Sequence, residues 1–149
     1  MKFYIASSLS NAAAVKLLGR DLCSRGWVWT YDWTSGEDLC NGNHDYKSRK
    51  LRECAQAELQ GVAQADVVIV MLPGGRGTYV EFGMALAQRK FTIVTAQSEA
   101  DLNIGYKYPS AFLALANEFV LARGTSAVAA KIFEVANLAF NESREIGRP

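Results

Sequence analysis

The feature of this 149-residue chain with the most chemical promise is Glu81, which stands just beyond a glycine-rich segment at 73–77 (Pro-Gly-Gly-Arg-Gly). An apolar run at 66–72 leads directly into that segment. A strand that opens through glycines onto the start of a helix presents backbone N–H groups to phosphates and sugars in α/β proteins. A carboxylate in the first turn of that helix adds a nucleophile or a base. The combination predicts chemistry on a nucleotide or nucleoside rather than binding alone.

The common cofactor motifs are absent from the glycine-rich segment. It contains neither the GxxxxGK[ST] pattern of a P-loop nor the GxGxxG pattern of a dinucleotide site, so ATP and NAD are poorly supported. The chain has three cysteines, an odd number without CxxC spacing, and one histidine, which do not make a convincing zinc site. We therefore expect no cofactor and no metal.

Glu81 has two interpretations at this stage. Thr78 and Glu81 have the spacing of a capping box, in which the glutamate bonds back to the start of the helix, and this is the commoner role of such a pair. The functional interpretation rests on the position of the helix start, at the strand end where ligands bind, and on the helix dipole, which favours the ionised carboxylate. The substitution Glu81→Gln separates the two, because glutamine also serves a capping box but is no nucleophile.

A second carboxylate, Glu58, lies in a predicted helix at 47–64. An apolar stripe of this helix passes through Leu51, Ala55, Leu59 and Val62. Glu58 falls within the stripe, and a charge on a buried face is costly unless it is paired or functional. The alternatives are a salt bridge, with Arg76 or Lys90 as partner, and a role in catalysis.

Polar side chains also occur at the ends of the first two predicted strands. Tyr4 lies in the first strand, and Ser7 and Ser8 follow it, where their hydroxyls hold a phosphate or sugar or else cap the next helix. Asp32 and Trp33 end the second strand, and we include Asp32 among the expected substrate-binding residues. Trp33 either stacks on a base or packs in the core, which is the commoner fate of tryptophan.

The elements that must position these residues alternate between strand and helix. The sequence predicts strands at 2–7, 27–33, 66–72, 91–95 and 118–122, helices at 11–25, 47–64, 80–90 and 126–143, a short helix at 111–116, and loops at 34–46 and 101–109. This alternation predicts an α/β fold with a five-stranded parallel sheet in a single doubly wound, flavodoxin-like or Rossmann-like domain over 1–149. The probable strand order is 2-1-3-4-5, which places ligands beyond the carboxyl ends of the first and third strands.

Bulk composition excludes several function classes. Half of the residues are hydrophobic and the net charge is +1, so the chain supports a proper core and has no general attraction to nucleic acid or acidic membranes. No apolar run approaches the roughly 18 residues that span a bilayer. Free thiols in a reducing cytoplasm are the default for this cysteine content.

With these residues placed, the chain resembles the nucleoside 2-deoxyribosyltransferase-like family. The resemblance covers most of the chain, through segments at 3–8, 64–70 and 77–85, and its most specific element is a strand, a glycine-rich turn and then Glu-x-Gly-x-Ala. It implies a five-stranded, doubly wound domain that forms dimers or larger oligomers. Members cleave the N-glycosidic bond of nucleosides or nucleoside 5′-monophosphates and transfer the sugar to another base or to water.

The resemblance also implies roles for individual residues. Glu81 matches the nucleophile that attacks the anomeric carbon, and Tyr4 matches the tyrosine that orients it. Glu58 falls where the family commonly has an aspartate that binds sugar hydroxyls or assists proton transfer. Gly75 falls where the transferases have an aspartate that handles the base, so its identity here favours hydrolysis over base exchange.

The family's monophosphate hydrolases lack that acid and bind phosphate with this turn and the first loop. By this analogy Ser8, Gly75 and Gly77 bind a 5′-phosphate, with Arg76 as a helper. Residues 73–81 also resemble the PGGxGTxxE signature of the cytokinin-activating phosphoribohydrolases, which cleave the same kind of bond, although the continuation at 82–85 fits the deoxyribosyltransferases better.

Two further alternatives stay open from sequence. One is a non-catalytic nucleotide-binding or sensing module on the same fold, since fold does not settle function. The other is an interaction protein whose helices mainly form an oligomer. The base, the choice of ribose or deoxyribose, the need for a 5′-phosphate, the acceptor and the general acid are not determined by the sequence.

Overall fold

The computed structural model describes residues 1–36, 44–102 and 111–146. Within them, five parallel strands form one sheet, composed of β1 (Lys2–Ala6), β2 (Val28–Trp29), β3 (Val67–Met71), β4 (Phe91–Ala96) and β5 (Glu118–Leu121). The strand order is β2-β1-β3-β4-β5, with every neighbouring pair parallel. This confirms the predicted α/β fold and its 2-1-3-4-5 order.

The sheet is covered by helices on both faces. The helices are α1 (Ala12–Ser24), α2 (His44–Gln64), α3 (Arg76–Ala87) and α4 (Thr125–Ile146), with short 3₁₀ turns at Leu9–Asn11, Trp33–Ser35 and Ala111–Leu115. Leu18 of α1 and Ile132 of α4 pack on one face, and Val62 of α2 and Phe82 of α3 pack on the other. None of the helices in the described part of the chain is both long and apolar enough to cross a membrane.

The strand sequences explain the two-sided core. Successive side chains of a strand point to opposite faces, so Phe3 and Ile5 of β1 join the α1–α4 side while Tyr4 joins the α2–α3 side. Every residue of β3 is buried, as its continuous apolar run predicts for a central parallel strand. Tyr4 is thereby carried into the interior beneath α2 and α3.

Several element boundaries differ from the prediction, most of all that of the second strand. The edge strand β2 has two residues rather than seven, because Asp32 accepts a hydrogen bond from Thr34 N and turns the chain into the 3₁₀ turn that follows. Helix α3 begins at Arg76, four residues earlier than predicted, and α2 begins at His44. Residues 37–43 and 103–110 of the two predicted loops lie outside the described residues.

Candidate active site

The centre of the candidate site is a buried pair, Tyr4 of β1 and Glu81 of α3. The Tyr4 hydroxyl donates a hydrogen bond to Glu81 Oε1. Among the described residues no other group donates to Glu81, so its second oxygen, Oε2, stays available. Glu81 keeps 8% of its surface exposed whereas Tyr4 has none, so the carboxylate is the member of the pair that a ligand can reach.

Burial sets the electrostatics of this pair. The pKa of Glu81 is raised to about 7. Burial and then the charge of Glu58 raise it, and the Tyr4 hydrogen bond lowers it in part. Burial and the adjacent Glu81 raise the pKa of Tyr4 far above its ordinary value, so the tyrosine remains a hydrogen-bond donor. Glu81 is thus a carboxyl group that titrates near neutral pH beside a permanently protonated partner.

The structure corrects two expectations about Glu81. The helix starts with Gly75 as its N-cap, so Glu81 lies in the second turn rather than the first. The cap bond runs from Gly75 N to Thr78 Oγ1, at 2.9 Å, and Thr78 rather than Glu81 is the third helical residue. The capping-box interpretation of Glu81 is therefore wrong. The expected help from the helix dipole is small, because that effect fades beyond the first turn and burial outweighs it.

Glu58 approaches the pair from α2. It is half-buried, and burial raises its pKa. The apolar stripe that predicted its burial is itself exposed at Leu51 and Leu59 and buried only at Val62. The alternative salt bridges do not form among the described residues, since Glu58 has no ion pair there and Lys90 Nζ donates to the Ala63 carbonyl at 2.6 Å. Within the described ranges Glu58 is thus a carboxyl group without an ion pair, close enough to Tyr4 and Glu81 to raise the pKa of both.

Two positioning residues, Gly61 and Tyr31, escape the sequence analysis. A Cβ on Gly61 would lie 2.9 Å from the Tyr4 ring and 2.9 Å from Tyr31 Cβ, so glycine lets α2 approach β1 closely. Burial raises the pKa of Tyr31 most, and the nearby Cys54, Glu58 and Asp32 raise it further. The Tyr31 hydroxyl therefore lies near the carboxylates of Glu58 and Asp32. A glycine inside a long predicted helix, one turn after Glu58, is the feature that indicates such close packing.

The first loop and the glycine-rich turn meet at Ser8 and Gly75. Ser8 Oγ donates to the Pro73 carbonyl at 3.1 Å, and a Cβ on Gly75 would lie 3.6 Å from Ser8 Cβ. Ser7 has a different position, because its hydroxyl donates to the Met71 carbonyl at 2.8 Å and ties β1 to β3. Of the two serines, Ser8 is the one that borders the turn.

The remaining predicted residues occupy the rim. Arg76 and Gly77 are exposed in the first turn of α3, where N–H groups point outward. Asp32 accepts hydrogen bonds from the Thr34 hydroxyl, from Thr34 N at 3.0 Å and from Ser35 Oγ at 2.7 Å. Although partial burial opposes ionisation, these bonds and the charge of Lys16 hold the pKa of Asp32 below its usual value.

The fold and the Tyr4–Glu81 pair define the chain as a flavodoxin-like α/β domain in which a tyrosine of an inner strand holds a carboxylate of α3. One similar solved structure is that of the CMP N-glycosidase BcmB from Clostridium botulinum, at a TM-score of 0.57 and 17% identity over 89% of this chain and 98% of that one. At this identity the likeness establishes the fold. The resemblance to the nucleoside 2-deoxyribosyltransferase-like family therefore stays a prediction, with which the shared fold agrees. No protein-family model matches the chain, and no curated protein is significantly similar.

Proposed function

We propose that this protein cleaves the N-glycosidic bond of a nucleoside 5′-monophosphate, with Glu81 as nucleophile and water as the acceptor. The observation that carries the proposal is the buried Tyr4–Glu81 hydrogen bond beside the glycine-rich turn. A carboxylate with one oxygen fixed by a tyrosine and the other available is arranged for attack on a carbon centre. The fold shared with a CMP N-glycosidase supports the same bond class.

The reaction proceeds by two displacements. Glu81 Oε2 attacks the anomeric carbon, the glycosidic C–N bond breaks, and the base leaves with the bonding electron pair and takes up a proton. The product of this step is a glycosyl ester on Glu81. Water then attacks the same carbon from the opposite face, loses a proton and releases the sugar phosphate and the free carboxylate. Two inversions give net retention.

Glu58 is the group best placed to assist the proton transfers. Burial raises its pKa, which favours the protonated form, and its carboxyl group lies near enough to Tyr4 and Glu81 for its charge to raise the pKa of both. A protonated Glu58 gives its proton to the leaving base, and the resulting carboxylate then accepts one from the attacking water. When Glu58 is ionised, its charge raises the pKa of Glu81.

The phosphate end of the substrate is assigned to the turn. Ser8 and Gly75 lie side by side, and the first-turn N–H groups of α3 at Arg76 and Gly77 face outward where an anion is favoured. A glycine at position 75 leaves no acid there to handle an incoming base, which supports water as the acceptor. A 5′-phosphate held here places the anomeric carbon at the inner end of the sugar, toward Glu81.

A panel of nucleosides and nucleoside 5′-monophosphates, with and without a second base, tests the proposal by chromatographic measurement of base release. We expect release from at least one monophosphate, loss of that release in Glu81→Gln, and no base exchange. Tight nucleotide binding without turnover, unaffected by Glu81→Gln, would instead identify a non-catalytic binding module. Sugar transfer to the second base would contradict the choice of water.

We also propose that the protein is a homodimer or larger homo-oligomer in the cytoplasm. Helices α2 and α3 pack side by side and expose large apolar side chains, with Leu51, Leu59 and Val80 exposed by 56%, 48% and 63%. Such side chains on adjacent helices favour burial against a second copy. Light scattering tests this, since Leu59→Lys should lower the mass of an oligomer. Free Cys23 and Cys54 support a reducing compartment.

A further inference from the structure

A cavity lies at the carboxyl ends of β3 and β4. Its volume is about 260 Å³, and it opens between the end of β4 and the start of α4. Its apolar walls include Ala14, Met71 and Val128 from the α1–α4 side of the core. Leu72 and Ala96 from the α2–α3 side and Pro73 of the glycine-rich segment also line it. The cavity therefore adjoins the glycine-rich turn, but neither Tyr4 nor Glu81 lines it.

The floor of the cavity contains an unsatisfied polar group. Thr95 is 1% exposed, and its Oγ1 has no hydrogen-bond partner among the described residues. Thr95 lines the cavity and its side chain lies on the same face of β4 as that of Ile93. A buried hydroxyl without a partner costs free energy. The cavity is more than ten times the roughly 10–15 Å³ that one water needs on this measure, so it has room for a larger molecule.

The start of α4 supplies hydrogen-bond donors to the same space. Thr125, the first residue of α4, lines the cavity, and in the described part of the chain no acceptor meets the N–H groups of Thr125, Ser126 or Ala127. Asp101 supplies hydrogen-bond acceptors to the same cavity. It is a half-buried carboxylate on the rim, and its Oδ2 accepts a hydrogen bond from Ser98 Oγ at 2.7 Å. The cavity therefore offers donors and a strong acceptor within one small volume.

From this geometry we propose that the cavity is a binding site for a neutral heterocyclic amide of the nucleobase class. An N–H beside a C=O on one ring edge matches Asp101 as acceptor and the Thr95 hydroxyl or the α4 N–H groups as donors. The flat apolar faces of such a ring match the walls formed by Ala14, Met71 and Val128. No described lysine or arginine lines the cavity, and Asp101 repels anions, so a phosphate group is disfavoured.

Methyl-labelled NMR titration of the full chain with hypoxanthine, cytosine and uracil, each of which has a ring N–H beside a C=O, tests this site. We expect at least one base to shift the signals of Met71 and Val128 saturably, and Thr95→Val and Asp101→Asn each to weaken that binding about tenfold. Because the Thr95 hydroxyl has no partner in the free protein, Thr95→Val should unfold at the same or higher temperature, so weaker binding would not reflect misfolding.

Glu81→Gln separates this proposal from the proposed function, because Glu81 does not line the cavity. We expect it to leave base binding at Met71 and Val128 unchanged, whether or not the protein proves to be an enzyme. Three results would overturn the proposal: no shift of these signals by any base at millimolar concentration, shifts that persist unweakened in Thr95→Val, or shifts caused by inorganic phosphate instead.

Discussion

The hydroxyl of Tyr4 donates a hydrogen bond to Oε1 of Glu81 across 77 positions of the sequence. One residue belongs to the second strand in the sheet order and the other to the second turn of α3, so only the folded sheet brings them together. The bond lowers the pKa of Glu81, while burial and Glu58 raise it to about 7. The proposed nucleophile is therefore switched on by deprotonation near neutral pH.

This balance predicts a shifted pH profile for Tyr4→Phe. In the wild-type protein, kcat/KM should fall as the pH drops below about 7, because Glu81 then becomes protonated. Loss of the Tyr4 hydrogen bond raises the pKa of Glu81 further, so the acid limb should move to higher pH. We expect a loss of about tenfold at pH 6 and a smaller one at pH 8.5, since one pKa unit is a factor of ten on that limb.

Tyr79→Phe is the matched control for this profile. Tyr79 lies on the same helix but is 38% exposed, and among the described residues the hydrogen bond to Glu81 comes from Tyr4 instead. Its variant should keep the wild-type acid limb. An unmoved limb in Tyr4→Phe would contradict the assignment of the limb to Glu81.

Glu58→Gln should move the same limb in the opposite direction. Removal of the Glu58 charge lowers the pKa of Glu81, so the carboxylate persists to lower pH. If Glu58 transfers the proton, kcat should nevertheless fall, by about 10²-fold or more. Glu53→Gln, on the same helix with a more exposed side chain paired to Lys50, is the control and should change neither quantity. An unchanged kcat in Glu58→Gln would exclude it as the acid.

The stability of the fold should depend on pH through Glu81. Its pKa rises from 4.5 to about 7 on folding, so between these values the folded state binds more protons than the unfolded chain, and stability falls as the pH rises. The full effect is about 3 kcal/mol of unfolding free energy. In urea unfolding from pH 5 to 9, the unfolding free energy of Glu81→Gln should rise relative to that of the wild type up to about pH 7, and the difference should then stay constant. Parallel curves throughout would show that Glu81 is ionised normally in the folded protein.

Gly61→Ala should damage both the fold and the site. The new Cβ would lie 2.9 Å from Tyr4 and Tyr31, so α2 must move away and carry Glu58 with it. We expect a loss of roughly 1–3 kcal/mol in unfolding free energy and a lower kcat. Gly83→Ala is the control in α3, where a Cβ meets nothing within 4 Å, and it should stabilise the helix by about 0.5–1 kcal/mol. Equal behaviour of the two variants would contradict the close contact of α2 with β1.

Ser8→Ala and Gly75→Ala test the phosphate end. A Cβ at Gly75 meets only ordinary contacts with Ser8, at 3.6 Å, and the backbone there is extended, so both variants should fold. We expect each to raise KM for a nucleoside monophosphate about tenfold without a matching change for the unphosphorylated nucleoside. Ser7→Ala should instead lower stability, because it removes the bond to the Met71 carbonyl. Equal losses on both substrates would place the phosphate elsewhere.

The features predictable from sequence are those encoded in short, uninterrupted patterns. The apolar run of β3 and the glycine-rich turn that follows it place Glu81 at the carboxyl edge of the sheet, and alternation of strand and helix gives the strand order. The sequence predicts too late a start for α3, because Gly77 suggests a loop. In the structure Gly77 lies within the helix, and the Thr78 hydroxyl accepts the capping hydrogen bond from Gly75 N. Cap geometry depends on one hydrogen bond, which composition does not specify.

The features that sequence did not predict depend on contacts between distant elements. The pKa of Glu81 reflects burial beneath α2 and the approach of Glu58, and neither follows from local propensity. The stripe of α2 at Leu51 and Leu59 has a helical period yet is exposed in the single chain, since periodicity does not say what an apolar face packs against. Gly61 is required for the close packing of α2 because Tyr4 and Tyr31 lie against it.

The most direct test of the central claim is mass spectrometry of the protein after incubation with a 2-fluoro-sugar nucleoside 5′-monophosphate, which slows hydrolysis of a glycosyl ester. The account predicts a mass increase of one fluorinated sugar phosphate, located by peptide mapping on Glu81 and absent in Glu81→Gln. Base release without any adduct on Glu81, or an adduct on another residue, would contradict Glu81 as the nucleophile.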